Sequence, residues 1–372
     1  MLNAGAGIVA GSLYYFSEMF TQAFQLEALV VNNDAYGAML ADAFALTPII
    51  LIFGMLLNIV LAKFTPFKYL FLAGNVVLYM AGIIAMIFTN AGLGTTVTLV
   101  VGPILLALYM TFSPALTQKY TSQISGSKEF AIANPGNTNY FLAGWLGSKF
   151  GNKEKTTEDI KVPKALSFLQ DSTVTMAVAM SLLFIFMGAY VGPEFVVTNL
   201  SQGQNYIAFS FMQPITFTVG VLVLMSGINM AVNELIPAFR GIGDKLIDSV
   251  VPAVDGAVMA KYSPNAMLIG FIVSLGANIV TTFLLTLTSL PVVIPSVLQH
   301  FFVGGIAATY GNKTGGRRGS VLGALVNGLM MGILPSIYIV YSGGGLFRTN
   351  IIFSDADFAI VGILIEFFVR MF

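Results

Sequence analysis

Cysteine is absent from the 372-residue chain, histidine and tryptophan occur once each, and charged side chains make up 9% of it. Without cysteine there is no disulfide framework, thiolate zinc site, iron–sulfur cluster or cysteine nucleophile. A single histidine, His300, excludes an HExxH metalloprotease and any multi-histidine metal site. Standing alone in Gln299-His-Phe, it reads as an interfacial residue rather than a ligand. No Walker-type lysine loop is present, which excludes ATP hydrolysis by that route. The 17 basic and 17 acidic residues cancel, so no bulk field recruits nucleic acid. Met1 to Gly7 has neither a basic segment nor a cleavage site, so no removable signal peptide is expected.

What the chain has instead is apolar surface: 56% of residues are hydrophobic and the mean hydropathy is +0.85. A soluble domain carries about 25% charged residues, and 9% cannot coat a globule of this size. Apolar runs of about 20 residues, the length that crosses a bilayer as a helix, recur throughout. They predict spans at Phe44 to Ala62, Tyr69 to Phe88, Leu93 to Phe112, Thr173 to Val191, Tyr206 to Met230, Ala266 to Ser289, Gly319 to Tyr341 and Phe358 to Met371. Between them, Leu2 to Phe16, Ala131 to Gly147, Ile236 to Ala257 and Pro291 to Thr309 are apolar but interrupted by Gly, Pro and Asn. Such backbone persists at membrane depth only when buried in protein or lining a wet cavity, so function is expected there. Lys149 to Asp171 holds five lysines and four acids and reads as a soluble cytoplasmic loop. The lysine-free loops Ser17 to Asp42 and Gly192 to Asn205 then lie outside.

An internal repeat is visible. Phe141-Leu-Ala-Gly-Trp-Leu-Gly-Ser-Lys-Phe-Gly-Asn-Lys153 resembles Phe302-Val-Gly-Gly-Ile-Ala-Ala-Thr-Tyr-Gly-Asn-Lys313, and each follows a proline-containing stretch. Asp34 and Asp255, and the helix starts at Pro48 and Pro264, recur in the same order. The expected architecture is an all-α polytopic membrane protein, an inverted-repeat transporter with broken helices and two re-entrant hairpins. Its halves are 1–172, with a hairpin near 131–149 and the loop 149–171, and 173–372, with a hairpin near 291–312.

Ionisable groups within apolar stretches cost about 2.5–3.5 kcal/mol at a helix centre, which makes each a functional candidate. Asp255, in Pro252-Ala-Val-Asp-Gly-Ala, is the leading one; the bland alternative is a helix cap. Asp34, its repeat partner, reads more like a turn. Asn75 and Tyr79 lie one turn apart on one helix face and suit hydroxyl recognition or, equally, an interhelical hydrogen bond. Asn137-Thr138-Asn139-Tyr140 follows Pro135-Gly136 at a helix start, where free N–H groups favour an anionic or polyhydroxyl ligand. Glu234 reads as part of a solvated face with Arg240 or Lys245, and Gly315-Gly316-Arg317-Arg318 as a basic turn that could meet a phosphate or an anionic lipid head group.

Four blocks carry a family resemblance: Leu72-Ala-Gly-Asn-Val-Val-Leu-Tyr-Met-Ala-Gly, Thr157-Glu-Asp-Ile-Lys-Val-Pro-Lys-Ala-Leu, Ala253-Val-Asp-Gly-Ala with Ser263-Pro-Asn-Ala, and His300-Phe-Phe leading to Gly311-Asn-Lys-Thr-Gly-Gly-Arg-Arg. Together they resemble the membrane IIC component of the ascorbate-type bacterial phosphotransferase system. The resemblance implies a homodimeric permease in the bacterial cell membrane, embedded in membrane lipid. It requires no cofactor, and soluble IIA and IIB partners phosphorylate the small polyhydroxylated solute. Matching motifs carry substrate contacts to Ala35, Tyr36, Asn75, Val76, Val77, Leu78, Tyr79, Asn137, Thr138 and Asp255. Where ascorbate carriers place His and Gln on the helix this chain has Asn75 and Tyr79, and where they place His-Gln at the hairpin it has Asn137-Thr138. Four polar contacts therefore change chemistry while Asp255 is retained, and the solute is left open within its class. The chain starts inside what looks like the family's second helix, so a preceding span is expected. An ion-coupled carrier with Asp255 as the coupling carboxylate is the alternative mechanism; a membrane-embedded enzyme lacks any metal or nucleophile constellation.

Overall fold

The computed structural model describes residues 2–24, 34–161, 163, 171–342 and 355–371. Helices α1 (Leu2–Phe24), α2 (Asp34–Phe64), α3 (Gly74–Asn90), α4 (Thr95–Ser125), α5 (Asn137–Phe150), α6 (Ser172–Val191), α7 (Tyr206–Leu246), α8 (Pro264–Leu285), α9 (Gly305–Tyr341) and α10 (Ala356–Val369) dominate. Among the described residues six helical stretches are long and apolar enough to cross a membrane: Ala45–Phe64, Thr95–Ser125, Thr173–Val191, Tyr206–Val223, Pro264–Leu285 and Val297–Tyr341. Many of their apolar side chains face outward, such as Phe53, Val100, Leu182 and Ile272. Water would penalise that surface and hydrocarbon does not. The chain is thus an all-helical polytopic membrane protein.

The chain divides into two compact units, 1–29 with 162–233 and 30–161 with 234–372. In the first, α1 packs along α6, with Phe16 against Phe184 at 5.4 Å between ring centroids. The stretch Leu2 to Phe16, expected to be interrupted, is continuous helix; Gly7 and Gly11 meet nothing within 4 Å, while Gly220 of α7 lets Ile8 approach at a distance no larger residue would allow. The second unit holds every candidate residue discussed below whose side chain is described.

Three short strands, absent from the sequence expectation, organise that second unit. Strands β1 (Tyr69–Phe71), β2 (Ala131–Ala133) and β3 (Val251–Asp255) form a parallel sheet in the order β1-β3-β2, pairing Phe71 with Ala253 and Ala133 with Asp255. The predicted span from Tyr69 therefore begins as strand and turns helical only at Gly74. Pro252 sits in the central strand without orphaning a partner. The β1 ladder uses the flanking residues, Val251 N–H donating to Lys68 and Leu72 N–H to Ala253, both at 2.8 Å, and β2 begins only opposite Ala253. Both outer edges are closed by side-chain amides. Asn58 of α2 donates to the Tyr69 carbonyl (3.3 Å) and accepts from Phe71 N–H (3.1 Å). Asn137 donates to the Ile132 carbonyl (2.9 Å).

The segments matched in the repeat, α5 and the first turns of α9, lie against each other: Tyr140 stacks on Tyr310 at 5.3 Å. Gly147 and Gly315 approach backbone to backbone. The helical path of α9 breaks at Gly315 and Gly316, and Gly316 takes φ +59°, which its lack of a side chain permits. The predicted soluble loop is anchored over its first part. Thr157 N–H donates to Asn312 Oδ1 (3.0 Å), and Glu158 accepts from Asn265 and Ala266 N–H at the start of α8 (3.2 and 3.0 Å). Residues 164–170 of that loop lie outside the described residues, as do the side chains of Glu234 and Arg240.

Replacing Asn58 by leucine leaves the Phe71 N–H and Tyr69 carbonyl buried without partners. The expected cost is about 1–3 kcal/mol, read as a lowered thermal midpoint of the purified protein, with Asn58→Asp keeping the acceptor for Phe71 N–H and losing the donor to the Tyr69 carbonyl.

Candidate functional site

Each strand delivers the chain into a helical start. β1 leads to α3, β2 to α5, and β3 to a single helical turn at Gly256–Lys261. Parallel pairing puts these three starts at one end of the sheet, so groups far apart in sequence converge there. α3 begins without a side-chain cap, so its free N–H groups and positive dipole end stay available, whereas the start of α5, which its own N-cap residue leaves uncapped, is met by Asp357.

Asp255 ends β3, and its residue is exposed. Its Oδ1 accepts the Ala257 N–H at 2.8 Å, so it is indeed a cap, and the Asn75 side chain lies within electrostatic reach of the carboxylate. The structure thus joins two residues 180 positions apart that sequence analysis raised separately. Tyr79, one turn along α3, is 39% exposed and packs edge-on against Phe358, 6.5 Å between centroids. Val76 and Val77, on the opposite face, are 2% and 0% exposed and belong to the apolar core, whereas Leu78 is exposed. The resemblance-derived block Asn75 to Tyr79 therefore splits by helical geometry: Asn75 and Tyr79 share the face toward Asp255, and Val76 and Val77 hold the helix in place.

Asn137 and Thr138 divide in the same way. Asn137 is fully buried, and its amide donates to Ser113 Oγ (2.8 Å) and the Ile132 carbonyl; its Oδ1 has no partner. The donor is committed to closing the sheet, and only the acceptor is left over. Thr138 is half-buried, and its backbone N–H donates to Asp357 Oδ1 at 3.1 Å. Ala35 and Tyr36, with Asp34, lie in the first turn of α2, but their side chains lie outside the described residues.

Sequence analysis missed Asp355 and Asp357. Both are buried, at 5% and 3% exposure, at the start of α10. Asp357 N–H donates to the Pro135 carbonyl (3.0 Å), clamping α10 to the turn before α5. Tyr109 of α4 faces Asp357, and Tyr140 lies within electrostatic reach of Asp255, Asp355 and Asp357. Asp355 Oδ1 has no hydrogen-bond partner. The available signal was two carboxylates abutting an apolar span in a chain with few charges. It was hidden because acids in a first helical turn are commonplace. Sequence analysis also placed His300 at the interface; the structure buries it completely, held by Ser274 and Asn278.

A cavity of about 770 Å³ runs between α3, α4 and α10, with Tyr109, Ser113, Thr138 and Asp357 among walls of Leu, Val, Ile and Phe. Asp255 and Asn75 do not line it. Its walls are predominantly apolar.

A multi-span helical protein whose interrupted segments gather carboxylates, carboxamides and free helix N-termini at one point has the build of a membrane carrier for a polar solute. The chain belongs to the EIIC-GAT family, the PTS system sugar-specific permease component, whose model matches residues 1–357. It is similar to the ascorbate-specific PTS system EIIC component of Mycoplasma pneumoniae, with 24% identity over 365 residues; the match takes in 86% of this chain and 53% of that protein. The chain thus spans about half the length of the curated relative it matches.

Because the chain has no native cysteine, the convergence is directly testable. Asn75→Cys combined with Asp255→Cys is expected to be bridged by a short bifunctional thiol reagent, read as retained linkage after proteolysis between the two positions. Val77→Cys with Asp255→Cys is expected to remain unbridged.

Proposed function

We propose that the chain is the membrane-embedded IIC permease subunit of a sugar phosphotransferase system. It moves ascorbate or a related small polyhydroxylated solute, while IIA and IIB partners phosphorylate that solute as it enters. The observation that carries this reading is the meeting of Asn75 and Asp255 at the junction of three strand ends, in a chain of this family. A polyol offers O–H donors and oxygen acceptors together. Carboxylates at Asp255 and Asp357 accept from its hydroxyls, while the Tyr79 hydroxyl, Asn75 and the α5 N-terminus donate. A site of fixed donors and acceptors discriminates by leaving the partners of a wrong solute unpaired.

On this reading the halves 1–172 and 173–372 are inverted repeats with re-entrant hairpins near 131–149 and 291–312. The protein works as a homodimer in the bacterial inner membrane, and phosphoryl transfer is the task of the partner subunits. Ala35 and Tyr36 join the solute contacts by resemblance alone. The same-fold alternative, an ion-coupled carrier, draws on the buried carboxylates Asp355 and Asp357, since intramembrane acids serve as ion and proton sites.

Two measurements decide. Vesicles supplied with the phosphoryl-transfer chain are expected to accumulate phosphorylated product; accumulation of unmodified solute that collapses with an uncoupler, with IIA and IIB absent, selects the ion-coupled reading instead. Asp255→Asn is expected to weaken solute binding about tenfold or more, the scale of a hydrogen bond to a charged group, with expression and oligomeric state retained. Unaltered affinity removes Asp255 from the site.

A further inference from the structure

The lone histidine is the centre of a buried hydrogen-bond chain that no other part of the mechanism uses. His300, 0% exposed, lies in a wide helical turn, His300–Gly304, just before α9. Its Nε2 is 2.9 Å from Asn278 Nδ2, and its Nδ1 is 2.7 Å from Ser274 Oγ. Asn278 Nδ2 can only donate, so Nε2 is the acceptor; the Thr282 hydroxyl lies 3.3 Å from Asn278 Oδ1 and 3.1 Å from the Val293 carbonyl oxygen. In a neutral ring the proton then sits on Nδ1 and is donated to Ser274.

From the other side Asn327 Nδ2 donates to Ser274 Oγ (2.8 Å), and Asn139 Nδ2 donates to Asn327 Oδ1 (2.6 Å). Donors run inward from both ends and converge on Ser274 Oγ, whose two lone pairs are filled by His300 and Asn327. The chain connects α8, the turn at His300, α9 and α5, and ends on Asn139. That residue directly follows Thr138, which donates to Asp357, and its own Oδ1 is buried and unpartnered. The node has no slack: a Cβ added at Gly304 would lie 2.6 Å from Ser274 Cβ, and one added at Gly328 would lie 2.2 Å from the Ser274 carbonyl oxygen.

We propose that His300 is a positioning residue for the solute site: through Ser274, Asn327 and Asn139 it sets the first turn of α5 against α8 and α9. The ring suits the task because its two nitrogens bind Asn278 and Ser274, one turn apart on α8, which fixes the His300 turn against that helix. The effect on solute rests on the reading of the α5 start as part of the solute site; the effect on α5 does not.

The test uses the full chain in lipid nanodiscs. Thr138→Cys in this cysteine-free background reports the α5 start through its rate of modification by a soluble maleimide. His300→Phe, or Ser274→Ala should that variant misfold, is expected to change the rate by about fivefold, the equivalent of one net hydrogen bond. His300→Gln, which can accept and donate at once, is expected to restore it. Asn139→Ala should produce the same change, and the His300→Phe, Asn139→Ala double variant no more than either alone. An unaltered rate in folded His300→Phe, or additive effects in the double variant, overturns the proposal. Binding of radiolabelled ascorbate and galactitol is then measured without the Thr138 substitution. Affinity that falls in His300→Phe and returns in His300→Gln supports the link to the solute. Unchanged affinity beside altered labelling overturns the solute-site reading of α5 and leaves its positioning by His300 standing.

Discussion

The constraint on which this structure depends is that a peptide group surrounded by hydrocarbon has no water to bond. Helices satisfy it internally, and every departure from helix must find its partners elsewhere. In the second unit three departures find them in one another. β1, β2 and β3 pair in parallel, and the two edges that pairing leaves open are met by Asn58 and Asn137. An asparagine at such an edge imitates one residue of a missing strand, because its carboxamide carries a donor and an acceptor in the geometry of a peptide.

That same solution makes a site possible. A parallel sheet aligns the ends of its strands, and each strand here passes directly into a helical start, so chain segments near 75, 137 and 255 arrive together. Polar side chains next to those starts find complementary partners: Asn75 reaches Asp255, and Thr138 reaches Asp357. Polar groups at this depth are costly without partners, and the buried side-chain oxygens left unpaired near these starts are Asn137 Oδ1, Asn139 Oδ1 and Asp355 Oδ1.

Much was legible from the residues. Six of the eight apolar runs correspond to helices long and apolar enough to cross a membrane, while those at Tyr69 and Phe358 give the shorter α3 and α10. The interrupted stretches at Ala131 and Ile236 did prove to be the departures from helix that carry β2 and β3. Asp255 and Asn75 announced themselves as polar groups in apolar surroundings. The stretch at Leu2 misled, because a glycine in an apolar run does not by itself interrupt a helix, and Gly7 and Gly11 lie within continuous α1. The strands escaped detection because Tyr69-Leu-Phe and Ala131-Ile-Ala are too short to show a period of two, and their β conformation comes from partners 182 residues away for Tyr69 and 122 for Ala131. Asp355 and Asp357 read as ordinary first-turn acids, and His300 as an edge residue, because burial is not a local property.

Composition and pattern alone determined that the chain lives in a membrane, where its helices run, and which few polar residues are expensive enough to need a reason. Those are additive properties, and a free energy of transfer can be summed along a chain without knowing what touches what. Only the tertiary structure decided which of those residues meet, which have their donors committed to holding the sheet, and which keep an atom unpaired. Hydrogen bonds are directional and short, and their partners are chosen by the fold rather than by neighbours in sequence.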